Sequence, residues 1–379
     1  MVTGATGFLG CRLVRELLAR TGDEVLIVLG RGSQESLRAR TEAAVTSLDT
    51  APLPVGALDR LRFVSADITQ PGLGLSASDR AWVTDGLTQV WHSAALLGLD
   101  SDPVALYRSN VLGTRHVLDL ADAAPRAHLV HVSTAYVAGR RLTGHIREDD
   151  LREDAGFQVP YEETKYTAET MVHAWAQANR RTATIMRPSL LVTDHPAPPG
   201  LPCQPLETLT RLIDDAARSW SVRGKKLADL LTHSRGLKNA LRVRVAADLG
   251  GALNLLQADY AAHAMVRATQ NTTGARLVRT LHITHSENTA TTTVRRALEQ
   301  RYPGLQLIAV LELPDPTPIE SLVAQRAQLF GYTAQRRTYD RTHFLKAVGD
   351  LPGPKPIDET YLARGLTISC MVGRGTSAS

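Results

Sequence analysis

Tyr161-Glu162-Glu163-Thr164-Lys165 sets a phenol and an ammonium four residues apart. On a helix the two side chains share a face. A free phenol titrates at about 10. A neighbouring cation favours the phenolate and lowers that value. Tyr161 is therefore expected to act as a general acid or base near neutrality. Alone, the same pattern also describes a half-buried tyrosine beside a surface lysine. Its surroundings narrow the choice. Ser133 and Thr134 follow the apolar run His128–Val132, and Thr134 lies 27 residues before Tyr161. Hydroxyls at the carboxyl end of a strand face the ligand crevice of an open α/β sheet.

A second constellation opens the chain. Thr3-Gly4-Ala5-Thr6-Gly7-Phe8-Leu9-Gly10 carries glycines at spacing three and three. Gly4 permits a tight turn out of a strand, Gly7 leaves room for a pyrophosphate, and Gly10 lets the next helix pack close. The start of that helix directs N–H groups and the positive dipole end toward the phosphates. A glycine-rich strand–helix turn without a ligand has the same spacing. At the end of the second apolar run stands Leu29-Gly30-Arg31, with no carboxylate until Glu35. An acidic residue there would favour NAD. Arg31, with Arg38 or Arg40 as helpers, can instead pair with a 2′-phosphate, so NADP(H) is the expected cofactor.

These groups need a scaffold. Apolar runs at Val25–Leu29, Leu61–Val64, Gln89–His92, His128–Val132 and Ala183–Arg187 alternate with helix-like stretches such as Phe8–Arg20 and Tyr107–Ala124. Leu9, Leu13 and Leu17 recur every four residues beside Val14 and Leu18, which makes one apolar face. Strands alternating with helices predict an α/β fold, a Rossmann-type doubly wound parallel sheet. Residues 1–192 would form the NADP(H)-binding domain, with 245–285 returning to it. Residues 193–244 and 286–379 would form a smaller, mainly helical C-terminal substrate lobe. Beyond residue 192, 206–240 read as helical and basic, Ala252–Ala268 as a strand and helix, Leu277–Ile283 as a strand and Ile319–Phe330 as a helix. Only Met1 and Val2 precede Thr3-Gly4. Either the true start lies upstream or the first strand is a stub, and the former is expected.

Composition sets the outer bounds. The 379 residues are 43% apolar, 21% charged and 5% aromatic, with net charge +5. That is ordinary for a globular protein, and the aromatics are too few to suggest stacking on single-stranded nucleic acid. A mildly basic chain favours anionic ligands. Cys11, Cys203 and Cys370 are far apart and suggest neither a metal site nor a disulfide framework, so a reducing, cytoplasmic setting is the simplest. No apolar run reaches the length of a membrane span.

In order and spacing, the pieces resemble those of an extended short-chain dehydrogenase/reductase. They are Thr3–Gly10, Asp67-Ile68, Ala94-Ala95, Asn110–Thr114, His131–Val137, Tyr161–Lys165 and Arg187-Pro188-Ser189. The resemblance implies that Asp67 and Ile68 hold an adenine ring and that Ala94 and Ala95 line the cofactor cleft. Thr134 would hydrogen-bond the substrate carbonyl, with Ser133 as its competitor, and Tyr161 would be the acid/base. Lys165 would hold the nicotinamide ribose and tune Tyr161. Asn110 would anchor backbone, and Pro188 and Ser189 would complete the cofactor site. His131–Val137 is similar to the fatty acyl-CoA reductase and thioester reductase, or male-sterility-like, branch. Asn254–Ala268, Tyr339–Phe344 and Leu351–Leu362 resemble it more loosely.

That branch implies hydride transfer to an acyl thioester, brought by coenzyme A or an acidic carrier protein, to give an aldehyde or alcohol. Residues 211–244 hold nine Lys/Arg against three acidic residues. Such a patch could receive either partner, or be a solvated helix face. Two other readings use the same residues. One is a sugar-nucleotide epimerase or dehydratase, or a hydroxysteroid-type dehydrogenase. The other is a dinucleotide sensor without catalysis.

Overall fold

The computed structural model describes residues 1–20, 22–48, 51–98, 102–195, 203–207, 210–211, 213–214, 221–222, 225–226, 241–248, 250–270, 277–326 and 328–366. Seven parallel strands form the central sheet. They are β1 (Val2–Thr3), β2 (Leu26–Gly30), β3 (Leu61–Ser65), β4 (Gln89–His92), β5 (His128–Val132), β6 (Ala183–Pro188) and β7 (Val278–Ile283). Their order is β7-β6-β5-β4-β1-β2-β3. The chain first winds outward from β1 through β2 and β3, then returns to β4 on the other side. The order therefore reverses between β1 and β4, where an open α/β sheet leaves a crevice at its carboxyl ends.

The strand runs are mostly apolar because both faces of the sheet are covered, with His131, Thr184, Arg187 and His282 among the buried polar exceptions. Val28, Trp91, Val130 and Met186 face one core, together with α1 (Gly10–Ala19) and α5 (Ala258–Gln270). Leu29, Val90, Leu129 and Ile185 face the other, with α3 (Gly113–Asp122) and α4 (Pro160–Ala178). Neighbouring strand residues thus supply opposite cores, as the two-residue period of a strand requires. Between α1 and α3 in the chain lies α2 (Gln34–Thr46), whose first N–H groups are capped by Ser33.

β1 has only two residues, yet it pairs with both β2 and β4. Met1 continues the pairing by accepting from the N–H of Trp91 at 2.9 Å. β4 and β5 begin and end where the sequence places them; β2 lies one residue later at both ends, and β6 extends by one residue at its carboxyl end. The predicted helix at Tyr107–Ala124 contains a widened π turn, Tyr107–Leu112, before α3.

Much of the remaining chain forms a lobe around a second, smaller core that includes Tyr136, just after β5. Leu241–Ala246 pairs in parallel with Leu305–Val310. Helices Thr291–Arg301 and Glu359–Leu366 share a core with Leu206, Leu253, Tyr136 and Tyr332. The helical expectation for 206–240 fails where Ser221–Val222 pairs antiparallel with Lys225–Lys226. Residues 227–240 lie outside the described set. Leu255–Gln257 pairs with Leu190–Val192, and β7 returns to the main sheet beside β6. Cys11 is a buried free thiol, whereas Cys203 is disulfide-bonded, so the cysteines do not argue for a reducing setting. Among the described residues no helix is long and apolar enough to cross a membrane.

Two buried carboxylates lock the parts together. Glu148 accepts backbone N–H groups from His282 on β7 at 2.9 Å, Phe344 at 3.0 Å and His343 at 2.5 Å. Glu169 on α4 receives the guanidinium of Arg187 on β6 at 2.5 and 3.0 Å, and the hydroxyl of Ser133 at 2.6 Å. The side chains of this ion pair are 1% and 0% exposed. Removing one partner leaves an uncompensated charge in the core, so Arg187→Met is expected to cost about 3–5 kcal/mol of stability in urea unfolding. A loss below about 1 kcal/mol would show that the pair is not what holds α4 to the sheet.

Candidate active site

The glycine turn follows β1 directly. Gly4 sits at φ +78°, and a Cβ there would lie 2.6 Å from the backbone nitrogen of Ala94. A Cβ on Gly10 would lie 1.9 Å from the Gly4 carbonyl oxygen. The start of α1 is thus pressed onto the turn as only glycine allows. Gly7 donates to the Gly4 carbonyl at 2.9 Å. Thr6, Gly7, Phe8 and Leu9 are partly open to solvent. Among the described residues no side chain caps α1, and no acidic residue stands in its first turn. An anion can take that place. Arg12 instead points back, donating to the Phe8 carbonyl at 2.6 Å and to Asp259 on α5 at 2.8 Å.

Around this turn the crevice is built by loops at the strand ends. Thr3 accepts from the Ala94 N–H at 3.3 Å and meets His92 Nδ1 at 2.9 Å. Burial, then the charge of Lys165, lowers the His92 pKa to about 3, so the ring is neutral. Asp67 accepts from Thr69 N–H and hydroxyl at 2.9 and 2.8 Å, which fixes the loop after β3. Ile68 lies against Gly113, where a Cβ would approach it to 2.9 Å. At the end of β2, Arg31 is exposed and its guanidinium has no hydrogen-bond or ionic partner among the described residues, while Arg40 donates to the Arg31 carbonyl. Arg38 pairs with Glu42 at 3.1 Å and so is committed elsewhere.

Asn110 sits on the π turn and joins two parts of the site. Its carbonyl accepts from the Leu96 N–H at 2.8 Å, and its amide donates to the Leu96 carbonyl at 3.1 Å and to Thr164 at 3.0 Å. The loop containing Ala94 and Ala95 is thereby tied to α4. π turns recur at functional sites.

α4 starts with Pro160 at its first turn, where a missing N–H costs nothing. It carries Tyr161 in its first turn and Lys165 against the end of β5. Lys165 is buried and donates to the Val132 carbonyl at 2.7 Å. Burial lowers its pKa to about 8, with Glu169 opposing. Tyr161 departs from expectation. Burial, then the charge of Glu162, pushes the phenol above its ordinary value rather than below it. In this state Tyr161 is a proton donor, not a phenolate.

Thr134 and Ser133 also separate. Ser133 is spent on Glu169. Thr134 accepts from the Tyr136 N–H at 3.2 Å and reaches the Pro188 carbonyl only at 3.5 Å, leaving a weakly held hydroxyl. Ser189 Oγ is buried with no hydrogen-bond partner among the described residues. That orphaned hydroxyl, the bare helix start and the glycine cradle together fit a bound dinucleotide. The basic segment fits its role less well. Arg218, Arg223, Arg235 and Lys238 lie outside the described residues, as do the side chains of Lys225 and Lys226. Arg244 is engaged by Glu320 at 2.8 Å, Arg242 by Gln306 at 3.2 Å, and Arg211 lies on Cys203. Among the described residues no group of histidine, cysteine and carboxylate side chains could hold a metal.

One part of the site has no signature in the sequence: Glu162, Tyr332 and Arg337 form a buried cluster beside Tyr161. Glu162 and Glu163 look alike in sequence, and only the fold buries the first.

Residues 2–220 match the family described as male sterility protein. The isonitrile lipopeptide synthase of Streptomyces coeruleorubidus is 30% identical over 179 residues, 47% of this chain and 12% of that protein. Fatty acyl-CoA reductase wat of Drosophila melanogaster is 28% identical over 227 residues, 52% of this chain and 43% of that protein. The chain therefore spans less than half the length of these relatives. Among solved structures, the terminal R domain from the myxalamid PKS-NRPS biosynthetic pathway superposes with a TM-score of 0.72 at 21% identity, covering 97% of this chain and 89% of that one. UDP-glucuronic acid 4-epimerase from Bacillus cereus in complex with NAD gives 0.61 at 17%, covering 97% and 93%. Both are similar to this chain in fold, a Rossmann-type parallel α/β sheet with flanking helices.

The closeness of Gly10 to Gly4 is directly testable. Gly10→Ala is expected to weaken NAD(P)H binding at least about tenfold in a fluorescence titration, since the glycine turn must open by more than about an ångström. An unchanged Kd would mean that the dinucleotide does not seat on this turn.

Proposed function

This chain belongs to the male sterility protein family, and on that premise we propose that it is an NADPH-dependent reductase of acyl thioesters, with Thr134, Tyr161 and Lys165 as its catalytic residues. The observation that supports the proposal is the bond from Lys165 to the Val132 carbonyl, which holds the helix of Tyr161 against the end of β5, the strand that leads into the weakly held Thr134 hydroxyl. A thioester carbonyl oxygen placed between Tyr161 and Thr134 meets two donors. Negative charge grows on that oxygen as the carbonyl carbon is reduced, and preorganised donors aimed at it lower the barrier.

NADPH supplies the hydride when bound. Gly4, Thr6, Gly7, Phe8, Leu9 and Gly10 cradle its pyrophosphate, Asp67 and Ile68 its adenine, and Ala94, Ala95, Asn110, Pro188 and Ser189 line the rest of the cleft. Arg31 pairs with the 2′-phosphate. Lys165, already deep in the site, holds the nicotinamide ribose. Tyr161 gives its proton to the oxygen of the tetrahedral adduct. Collapse of the resulting hemithioacetal breaks the carbon–sulfur bond and frees a thiol and an aldehyde, and a second round gives the alcohol. The thioester is presented by coenzyme A or by an acidic carrier protein, and a cytoplasmic setting suits both.

The test sets acyl-CoA against UDP-sugars and secondary alcohols, each with NADPH or NADP⁺. Turnover with acyl-CoA, lost by at least about a hundredfold in Tyr161→Phe, is the expected outcome. Turnover confined to UDP-sugars, or a fully active Tyr161→Phe, would contradict it. For the cofactor, loss of a charge-assisted hydrogen bond worth about 1.5–3 kcal/mol should raise KM for NADPH roughly ten- to a hundredfold in Arg31→Ser, with KM for NADH little changed. Equal Michaelis constants for the two cofactors in the wild type would refute the NADPH preference.

A further inference from the structure

Glu162 is fully buried one residue from Tyr161. Its Oε1 accepts from the Tyr332 hydroxyl at 2.7 Å, and its Oε2 accepts from the Gln158 N–H at 2.7 Å. Gln158 belongs to the chain entering α4. Tyr332 comes from the C-terminal lobe, 170 residues away. The same tyrosine ring meets the edge of Tyr136, with centroids 5.0 Å apart and planes at 80°. Tyr136 in turn donates its N–H to Thr134. One lobe residue therefore braces both groups assigned to the carbonyl oxygen, Tyr161 through Glu162 and Thr134 through Tyr136.

Among the described residues the charges facing this point are few. Burial raises the Glu162 pKa, against the opposing Tyr332 hydroxyl, Gln158 N–H and the charge of Arg337, which is buried and donates to the Gly139 carbonyl at 2.7 Å and to Tyr339 at 2.8 Å. Burial keeps Tyr136, Tyr332 and Tyr339 protonated. On α4 itself the nearby ionisable groups are Lys165, bound to Val132, and Glu163, exposed. A carboxylate removed from water persists only where donors hold it. Tyr332 is the side-chain donor that does so here.

We propose that Glu162, held by Tyr332, is the positioning residue through which the C-terminal lobe fixes the first turn of α4, and with it Tyr161, in place for catalysis. The proposal rests on the acid–base role of Tyr161 given above. Its effect on pH dependence has a definite sign. An anion beside a phenol disfavours phenolate. Neutralise the anion and the phenol loses its proton at lower pH. Removing the Tyr332 hydroxyl acts the same way, because an unsupported Glu162 takes up a proton.

The experiment measures kcat against pH for reduction of an acyl-CoA by NADPH in the wild type, Glu162→Gln and Tyr332→Phe. Reduction needs Tyr161 protonated, so activity falls on an alkaline limb. Both variants should move that limb to lower pH by about half a unit or more and lower kcat at neutral pH about tenfold, while Kd for NADPH stays within about twofold. If Glu162→Gln does not fold, Tyr332→Phe removes a single oxygen atom and carries the test. An unmoved limb in a folded, Tyr161-dependent enzyme overturns the proposal. So does a loss of kcat matched by an equal loss of NADPH affinity, which marks a general structural defect. If Tyr161→Phe is as active as the wild type, the acid–base reading itself fails and takes this proposal with it. That outcome is distinguished by the Tyr161 variant alone.

Discussion

The geometry of the site depends on one buried ion pair, Arg187 with Glu169. Arg187 stands at the end of β6 and Glu169 on the face of α4 that meets the sheet. Their contact sets both the axial position and the rotation of α4. Tyr161 and Lys165 lie two turns and one turn before Glu169 on the same helix, so their placement follows. Ser133 completes the Glu169 shell and fixes the last turn of β5 beside them. A buried pair of this kind adds little net stability compared with apolar packing, because both charges give up water. Its value here is register: a helix held only by Val172, Trp175 and Ala176 could slide, and one held by a bidentate charge contact cannot do so cheaply.

From that fixed helix the rest of the crevice is assembled by short polar links. Asn110 ties the loop after β4 to Thr164. Lys165 ties the helix to β5. Glu162 ties it to the lobe. Each link is buried, and each joins segments distant in sequence. The result is a set of buried links around α4 on one side and an uncapped start of α1 on the other.

Much of this is legible in the residues. The strands stand out because a parallel sheet covered on both faces favours continuous apolar runs, as Val90-Trp91 and Leu129-Val130 illustrate. The glycine turn is legible because its backbone demands glycine at Gly4 and Gly10. What fails has physical causes. The pKa of Tyr161 moves upward because burial and Glu162 outweigh a lysine whose ammonium is turned to Val132. Helical spacing shows that two side chains share a face, not where their heads point. Ser221–Val222 and Lys225–Lys226 pair as strands inside a stretch whose sequence reads as helix, since two-residue strands carry no periodicity. Tyr332 and Arg337 have no readable role in the sequence, because their roles exist only once the lobe meets α4.

The central claim is that hydride goes to a thioester carbonyl carbon held between Thr134 and Tyr161. The most direct measurement follows the hydride itself. The protein is incubated with NADPH deuterated at the transferable position and an acyl-CoA, and the products are analysed by mass spectrometry. The account predicts deuterium on the former carbonyl carbon of the aldehyde or alcohol, with one thiol freed for each acyl group reduced. Thiol release without deuterium in the product, or deuterium appearing only when a sugar nucleotide replaces the thioester, would contradict it.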